Sequence, residues 1–332
     1  MDTMIMIERI KCYLRANWFY KKYLQTRVND MRYFVRSCKY YVKYYSFKYD
    51  KAVTGHTLYF IIDPEIRHPG LADRYKAIVG CYFIAQQNGF DFKIIFETPF
   101  SLHNYLDENQ CKWYADRQAL SFSLRNSRVI AYNGGGKIPR LRRSVKQYHV
   151  YSYIGYDMLE TNRIPEAKKR WGELYNALFR PKELIIRRMA ETGFVKDAYI
   201  AVHLRFVNAL EHFEEDHFND LSQTSREELI RRCLAGIEAI RKLNEDLPLL
   251  VFSDSRVFLD RVKTLPVHVL AGTIGHISFV HDEEAVIKTF VDFYMIGNAK
   301  RVYIIQAPEL YSTVYSYYAA LTGYKEAITF YL

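Results

Sequence analysis

The sequence predicts an α/β protein of two doubly wound domains that face each other across a cleft. Three observations lead there. Short apolar runs alternate with stretches of helical spacing in two separate series, one over residues 57–97 and one over 198–322. A chain of 332 residues is long for a single hydrophobic core. A long helical stretch from about 164 to 193, interrupted at Pro181, separates the two series as a connector. The boundaries that follow are a basic, tyrosine-rich helical segment over 1–52, a first domain over 53–180 and a second over 181–332.

Taken in order, residues 1–50 hold eleven Lys/Arg against four acids and include the run KYYVKYYSFKY. Two readings stay open for them. One is a basic amphipathic segment that meets a membrane surface or an acidic partner. The other is a pair of helices that pack their aromatic rings inward and snorkel their lysines. TLYFIID (57–63) reads as a strand, bounded by Pro64 and the turn HPG at 68–70. LADRYKAIVGCYFIAQQNG follows with apolar residues three and four apart and Gly89 as its stop, so it predicts a helix. FKIIFE (92–97) is the next strand, and strand, turn, helix, strand implies parallel pairing. SRVIAYN and YHVYSYI read as strands around a loop. That loop, NGGGKIPR (133–140), is no phosphate-binding P-loop, because Ile138 stands where Ser or Thr must follow the lysine.

The second series places strands at 198–206, 248–253, 267–271 and 301–306, with helices at about 225–244, 256–263, 283–297 and 310–322. Ser225 with Glu228 suggests a capping box for the first of these helices. No internal repeat and no low-complexity segment appears.

Hydrophobic content of 49% and charged content of 25% are those of a globular protein, and 29 tyrosines with 21 phenylalanines make it aromatic. A net charge of +10 favours an anionic partner. The cysteines (Cys12, Cys38, Cys81, Cys111, Cys233) are scattered and form no CxxC pair, which argues against a zinc site or a disulfide framework and for a reducing compartment. MDTMIMIERIKCYLR becomes charged too early for a signal peptide, and no apolar run approaches the ~18 residues of a membrane span. The expectation is a cytoplasmic protein, with the cytoplasmic face of the membrane as the place a basic N-terminus would reach.

The most informative stretch is AYIAVHLRFVN (198–208). Side chains alternate across a strand, so Tyr199, Ala201, His203 and Arg205 share one face while Ile200, Val202, Leu204 and Phe206 share the other. An arginine on a core strand needs an acidic partner or a cleft where an anion binds. In open parallel sheets ligands bind beyond the carboxyl ends of the strands. Polar residues gather at those ends: His203 and Arg205, then Ser253, Asp254 and Ser255, then Gly272, Thr273 and His276, then Ser312 and Thr313. Asp292 lies on the helix before the fourth strand, and Gly70 follows the first strand of the other domain. Arg205 offers a fork for a phosphate, glycine turns and helix starts offer N–H groups, and Asp292 can accept two N–H donors from a purine edge. Each residue also has a purely structural reading. His203 could be satisfied within the core, and Asp254 could cap the helix that follows it.

Three segments resemble the GT-B fucosyltransferase superfamily of α1,2-, α1,6- and protein O-fucosyltransferases, most nearly its bacterial members. PGLADRYKAIVGCYFIA (69–85) resembles the glycine-containing loop and helix of the family's first domain. AVHLRF (201–206) resembles its HxR motif, and KTFVDFYMIGNAKRVYIIQAPELYSTVYSYYAA (288–320) its donor-binding segment, with FSDS (252–255) between them. The resemblance implies two Rossmann-like domains and GDP-fucose as donor substrate. Arg205 would bind the β-phosphate and stabilise the leaving diphosphate, and His203 and Asp292 would hold the guanosine. Gly70, Leu71, Ala72 and Asp73 would reach across the cleft to the nucleotide. Ser253, Asp254, Ser312 and Thr313 would complete the donor site.

Two departures stand out. The family often continues HxRRGD or HxRRTD, whereas Phe206, Val207 and Asn208 stand here. QAPELYST differs from the usual serine-rich loop. Candidates for the acceptor side or for a base are Arg74, Asn208, Glu211, Glu214 and His276. Glu215 and Asp216 lie in the same acidic stretch, which reads equally as a solvated loop. The implied reaction is an inverting transfer of fucose to a glycan hydroxyl, with an oligosaccharide acceptor and no obligatory metal, since no DxD pair precedes the site. The rivals are a GT-B enzyme using another nucleotide sugar, and a non-catalytic basic protein that binds anionic lipid or nucleic acid. No nucleic-acid module is recognisable, so nucleic acid is not an expected partner.

Overall fold

A computed structural model describes residues 31, 35, 38, 40–42, 44, 53–63, 70–131, 140–151, 166–211, 221–272 and 282–332. The first domain is built on β1 (Thr57–Ile62), β2 (Asp91–Phe96), β4 (Ser127–Ile130) and β5 (Gln147–Val150), all parallel in the order β2-β1-β5-β4. A parallel sheet needs cover on both faces. Leu58, Phe60 and Ile62 point to the main core with helix α1 (Leu71–Asn88). Tyr59 and Ile61 point the other way, into a cluster with Ile95, Tyr151, Tyr40 and Tyr44. Helix α1 begins at Gly70 and stops at Gly89, whose φ of 66° lets its N–H turn back onto the carbonyls of Ala85 and Gln86.

Tyr40 and Tyr44 show what part of the N-terminal segment does. The Tyr44 hydroxyl lies 2.5 Å from His149 Nδ1 and 2.9 Å from the Tyr151 hydroxyl, and Tyr40 donates to Asp63 (3.3 Å). These two rings pack inward, while Met31, Val35 and Val42 are exposed. Residues 1–30 lie outside the described residues. Among the described residues no helix is long and apolar enough to cross a membrane.

The stretch expected as one interrupted helix is two helices with a strand between them. Helix α2 (Ala167–Leu178) gives way to β6 (Phe179–Pro181), which pairs antiparallel with β3 (Leu106–Glu108), and α3 (Glu183–Ala190) follows. Pro181 explains the break: it lacks an N–H and forces the residue before it out of the helical region.

The second sheet holds β7 (Ile200–Leu204), β8 (Leu249–Ser253), β9 (His268–Val269), β10 (Arg301–Gln306) and β11 (Ala327–Tyr331), all parallel in the order β11-β10-β7-β8-β9. The order reverses between β7 and β10, the switch point of a doubly wound sheet. The predicted alternation on β7 is observed. Ile200, Val202 and Leu204 pack with residues of α4 (Gln223–Lys242) and α5 (Arg256–Val262). Tyr199 and Ala201 join the cluster containing Phe290, Phe293 and Met295 of α6 (Glu283–Asn298) and Tyr318 to Leu321 of α7 (Tyr315–Thr322).

Several boundaries differ from expectation. The N-cap of α4 is Ser222, whose hydroxyl accepts the Ser225 N–H at 3.3 Å, and Glu228 pairs with Arg231 at 2.6 Å instead of closing a capping box. Helix α7 starts at Tyr315 rather than 310, and in the loop before it the Tyr311 N–H goes to the Arg205 carbonyl (2.9 Å). β9 is only two residues long. β11, apolar in sequence but largely exposed, adds an edge strand that the sequence reading did not place.

The domains meet in an aromatic block. Tyr105 stacks on Phe290 at 4.9 Å, Tyr75 meets Phe293 at 5.2 Å, and the hydroxyls of Tyr175 and Tyr294 are 3.0 Å apart. One apolar cluster therefore runs through both domains.

Candidate active site

At the carboxyl ends of β7 and β10, where the strand order reverses, charged and hydrogen-bonding groups gather. His203 is the penultimate residue of β7 and is 6% exposed. Its Nδ1 lies 2.9 Å from Ser316 Oγ in the first turn of α7, and its ring centre is 5.9 Å from that of Tyr315. Burial, reinforced by the charge of Arg205, pushes the His203 imidazole down to about 3, so it is neutral near pH 7. It acts there as a hydrogen-bonding group and not as a cation.

Arg205 is the residue just beyond β7. Its carbonyl accepts the Tyr311 N–H (2.9 Å), and its guanidinium carbon lies 5.5 Å from the centre of the Tyr311 ring. Two segments that follow different strands thus hold one arginine at the switch point.

Asp254, just past β8, directs both carboxylate oxygens at backbone. Oδ1 accepts the Phe206 N–H at 2.7 Å and Oδ2 the Val207 N–H at 2.9 Å. The cap of α5 is the neighbouring Ser255, whose hydroxyl accepts the Phe258 N–H at 3.1 Å, so Asp254 is not the helix cap. The Ser253 hydroxyl accepts the Ser255 N–H at 3.2 Å and shapes the same turn.

Asp292 on α6 receives Lys288 Nζ on both oxygens, at 2.6 and 2.8 Å. Burial raises its carboxyl above the usual range, and the Lys288 ammonium opposes that rise. Tyr315 sits between this pair and His203: its hydroxyl donates to the Thr289 carbonyl (2.5 Å), and burial together with the Asp292 charge holds the phenol well above its ordinary value. Of the two hydroxyl residues predicted after β10, Ser312 is exposed, while Thr313 is buried and accepts the Tyr315 N–H at 3.2 Å. The hydroxyl that reaches His203 belongs to Ser316.

The residues that the sequence pointed to in the first domain lie at the start of α1. Gly70 is its N-cap, Leu71 and Ala72 are buried in the main core, and Asp73 pairs with Lys76 at 3.2 Å. Lys76 Nζ in turn lies 5.9 Å from the Tyr318 ring of α7, so this helix reaches the second domain. Arg74 is 1% exposed, with its guanidinium 5.1 Å from the Phe96 ring. Burial lowers it to about 10, which leaves it cationic at neutral pH. Asn208 follows Val207 in the turn after β7, and Glu211 accepts the Val257 N–H at 3.3 Å through Oε1. Glu214 and His276 lie outside the described residues, as do Thr273, Glu215 and Asp216.

Reading the sequence missed Ser316, Tyr315 and Lys288. Lys288 stands four residues before Asp292, a spacing that signals an ion pair on one helix face. Ser316 gave no such signal, because its place depends on where α7 starts. A separate cavity of about 450 Å³ lined by Tyr82, Gln86, Arg170 and Tyr324 contains none of these residues.

No family model and no curated protein matches the sequence. Solved structures do. A variant of Arabidopsis thaliana FUT1 in complex with GDP aligns with a TM-score of 0.53 at 10% identity, over 89% of this chain and 74% of that one. NodZ α-1,6-fucosyltransferase soaked with GDP-fucose aligns with a TM-score of 0.53 at 13% identity, over 81% and 93%. The fucosyltransferase NodZ from Bradyrhizobium gives 0.52 at 14% identity, over 80% and 92%. With two parallel sheets and fucosyltransferase structures that align over most of its length, the chain has the GT-B fold.

Proposed function

We propose that the protein is an inverting glycosyltransferase that moves fucose from GDP-fucose to a glycan hydroxyl. The observation that carries this reading is Arg205 held at the β7/β10 switch point beside the neutral His203–Ser316 pair. That is where a doubly wound sheet binds a nucleotide, and the FUT1 and NodZ structures of like fold are described with GDP or GDP-fucose.

In the reaction the bond between the sugar C1 and the β-phosphate oxygen breaks, and the acceptor oxygen bonds to C1 from the opposite side. The acceptor proton leaves to a base, and the electron pair of the broken bond ends on the diphosphate. Arg205 meets that growing charge with a charge-assisted fork, so its contact is stronger in the transition state than in the ground state. The start of α7 adds backbone N–H groups and the positive end of its dipole. Neutral His203 and Ser316 hydrogen-bond the nucleoside, and Asp292 reads the N–H edge of guanine once Lys288 yields one of its two contacts. With an arginine to take up the charge, the step needs no divalent cation.

The acceptor is an oligosaccharide. The basic N-terminal segment, with Met31, Val35 and Val42 exposed, suits contact with the cytoplasmic face of a membrane.

Arg205→Ala tests the assignment. Loss of one such electrostatic contact is expected to lower kcat by about 10²–10³ while the thermal transition stays near the wild-type value. Calorimetric titration of the wild type with GDP, UDP and CMP should give GDP the tightest binding. Wild-type turnover by Arg205→Ala would rule out its role, and equal binding of the three nucleotides would rule out the donor.

A further inference from the structure

Beyond the groups that would touch the donor, the turn after β7 has an unusual construction. Val207 has a φ of 52°, in the left-handed region. A β-branched residue there is a genuine outlier, because its branched Cβ crowds the backbone carbonyls. Such a conformation persists only where the surroundings over-determine it.

The surroundings here are Asp254. In the β7/β8 register Leu204 lies opposite Ser253, which brings residue 254 beside Arg205. From that place the carboxylate accepts two successive backbone N–H groups, those of Phe206 and Val207, at 2.7 and 2.9 Å. On the other side the Arg205 carbonyl accepts the Tyr311 N–H, and the Phe206 ring is locked against Phe258 at 4.8 Å. Arg205 is therefore the one residue between a strand end fixed by sheet pairing and a turn fixed by a carboxylate.

We propose that Asp254 is a positioning residue: its clamp on the Phe206 and Val207 N–H groups holds Val207 in the left-handed conformation and thereby aims Arg205 at the donor diphosphate. The inference rests on the Arg205 role given above. The role asked of Asp254 is carried by its two backbone contacts and requires none with the nucleotide.

Asp254→Asn is nearly isosteric, but its amide can accept only one of the two N–H groups and sets a donor against the other. Misplacing a group that acts in the transition state lowers kcat by about 10²-fold, with KM for GDP-fucose moving little. The decisive comparison is the same substitution in a Val207→Gly background. Glycine adopts positive φ without strain, so the turn no longer needs the clamp. The kcat loss caused by Asp254→Asn, measured relative to Val207→Gly alone, should then be several-fold smaller than in the Val207 protein. That pair of glycine-containing variants also reads the effect should the single Asp254→Asn protein fail to fold. Equal losses in the two backgrounds, or wild-type kcat in Asp254→Asn, would overturn the clamp. An Arg205→Ala protein measured alongside separates the two ideas, since its full activity would remove the Arg205 role itself.

Discussion

His203 and His149 are both buried as neutral imidazoles, one in each domain, and that state has a pH signature. Burial pushes each from an ordinary 6.5 down to about 3 in the folded protein. A folded pKa below the unfolded one means that the unfolded chain takes up the proton first as pH falls. The stability contributed by each histidine is complete above about pH 6.5 and is lost progressively between 6.5 and about 3. One pH unit in that window costs about 1.4 kcal/mol per histidine, or about 2 kcal/mol each at pH 5. Urea unfolding at pH 7 and pH 5 should show this loss, and His149→Gln should remove about half of it. His149 is the cleaner probe: it lies away from the donor site, between the Tyr44 hydroxyl and the Gln147 side chain (2.9 Å).

At the scale of elements, α7 decides whether Ser316 meets His203, and small residues set where α7 lies. A Cβ on Gly172 of α2 would overlap the Leu321 carbonyl oxygen, well inside normal van der Waals contact. A Cβ on Gly297 of α6 would come within 2.6 Å of Thr322 Oγ1 and 2.8 Å of the Ala319 carbonyl oxygen. Both sites are helical, where alanine is intrinsically favoured over glycine by about 1 kcal/mol. Overpacking costs about 1–3 kcal/mol, and here the obstacle is backbone, which cannot swing aside, so the clash wins. Gly172→Ala and Gly297→Ala should each lower the thermal midpoint. Because α7 must shift to make room, each should also weaken GDP binding in a titration, although neither residue is part of the site. A variant with unchanged midpoint and affinity would show that the helices are not held this close.

Over the whole molecule, the aromatic block makes the two domains one thermodynamic unit. Tyr75, Tyr105 and Tyr175 from the first half meet Phe290, Phe293 and Tyr294 of α6 within a continuous apolar cluster. Neither domain can unfold without exposing this surface. Denaturation should therefore be a single transition, with tryptophan fluorescence (Trp113 and Trp171 are buried in the same cluster) and far-UV circular dichroism coinciding. Phe290→Ala should cost about 3–5 kcal/mol and still leave one transition. Two resolved transitions would instead mean independent domains.

What could be read from sequence was whatever follows a local period. Alternation along β7 put His203 and Arg205 on one face before any coordinates, and the predicted strands and most helices fall within a few residues of those observed. The strand-end rule then brought the polar residues to one edge of the sheet. What local period leaves undetermined is which backbone groups meet across the sheet. Asp254 could have capped the helix that follows it, and only the pairing of β7 with β8 decided that its oxygens go to Phe206 and Val207. That Ser316 meets His203 follows from α7 starting at Tyr315, a boundary that no local period marks. The run KYYVKYYSFKY is equally suited to a membrane or to a core, and burial of Tyr40 and Tyr44 on the first sheet settles those two rings by long-range contact. The sequence by itself thus determined the elements and the faces of their side chains, through steric rules acting over a few residues. The tertiary structure alone decided the partners, since hydrogen bonds and packing between distant segments depend on where the whole chain has folded.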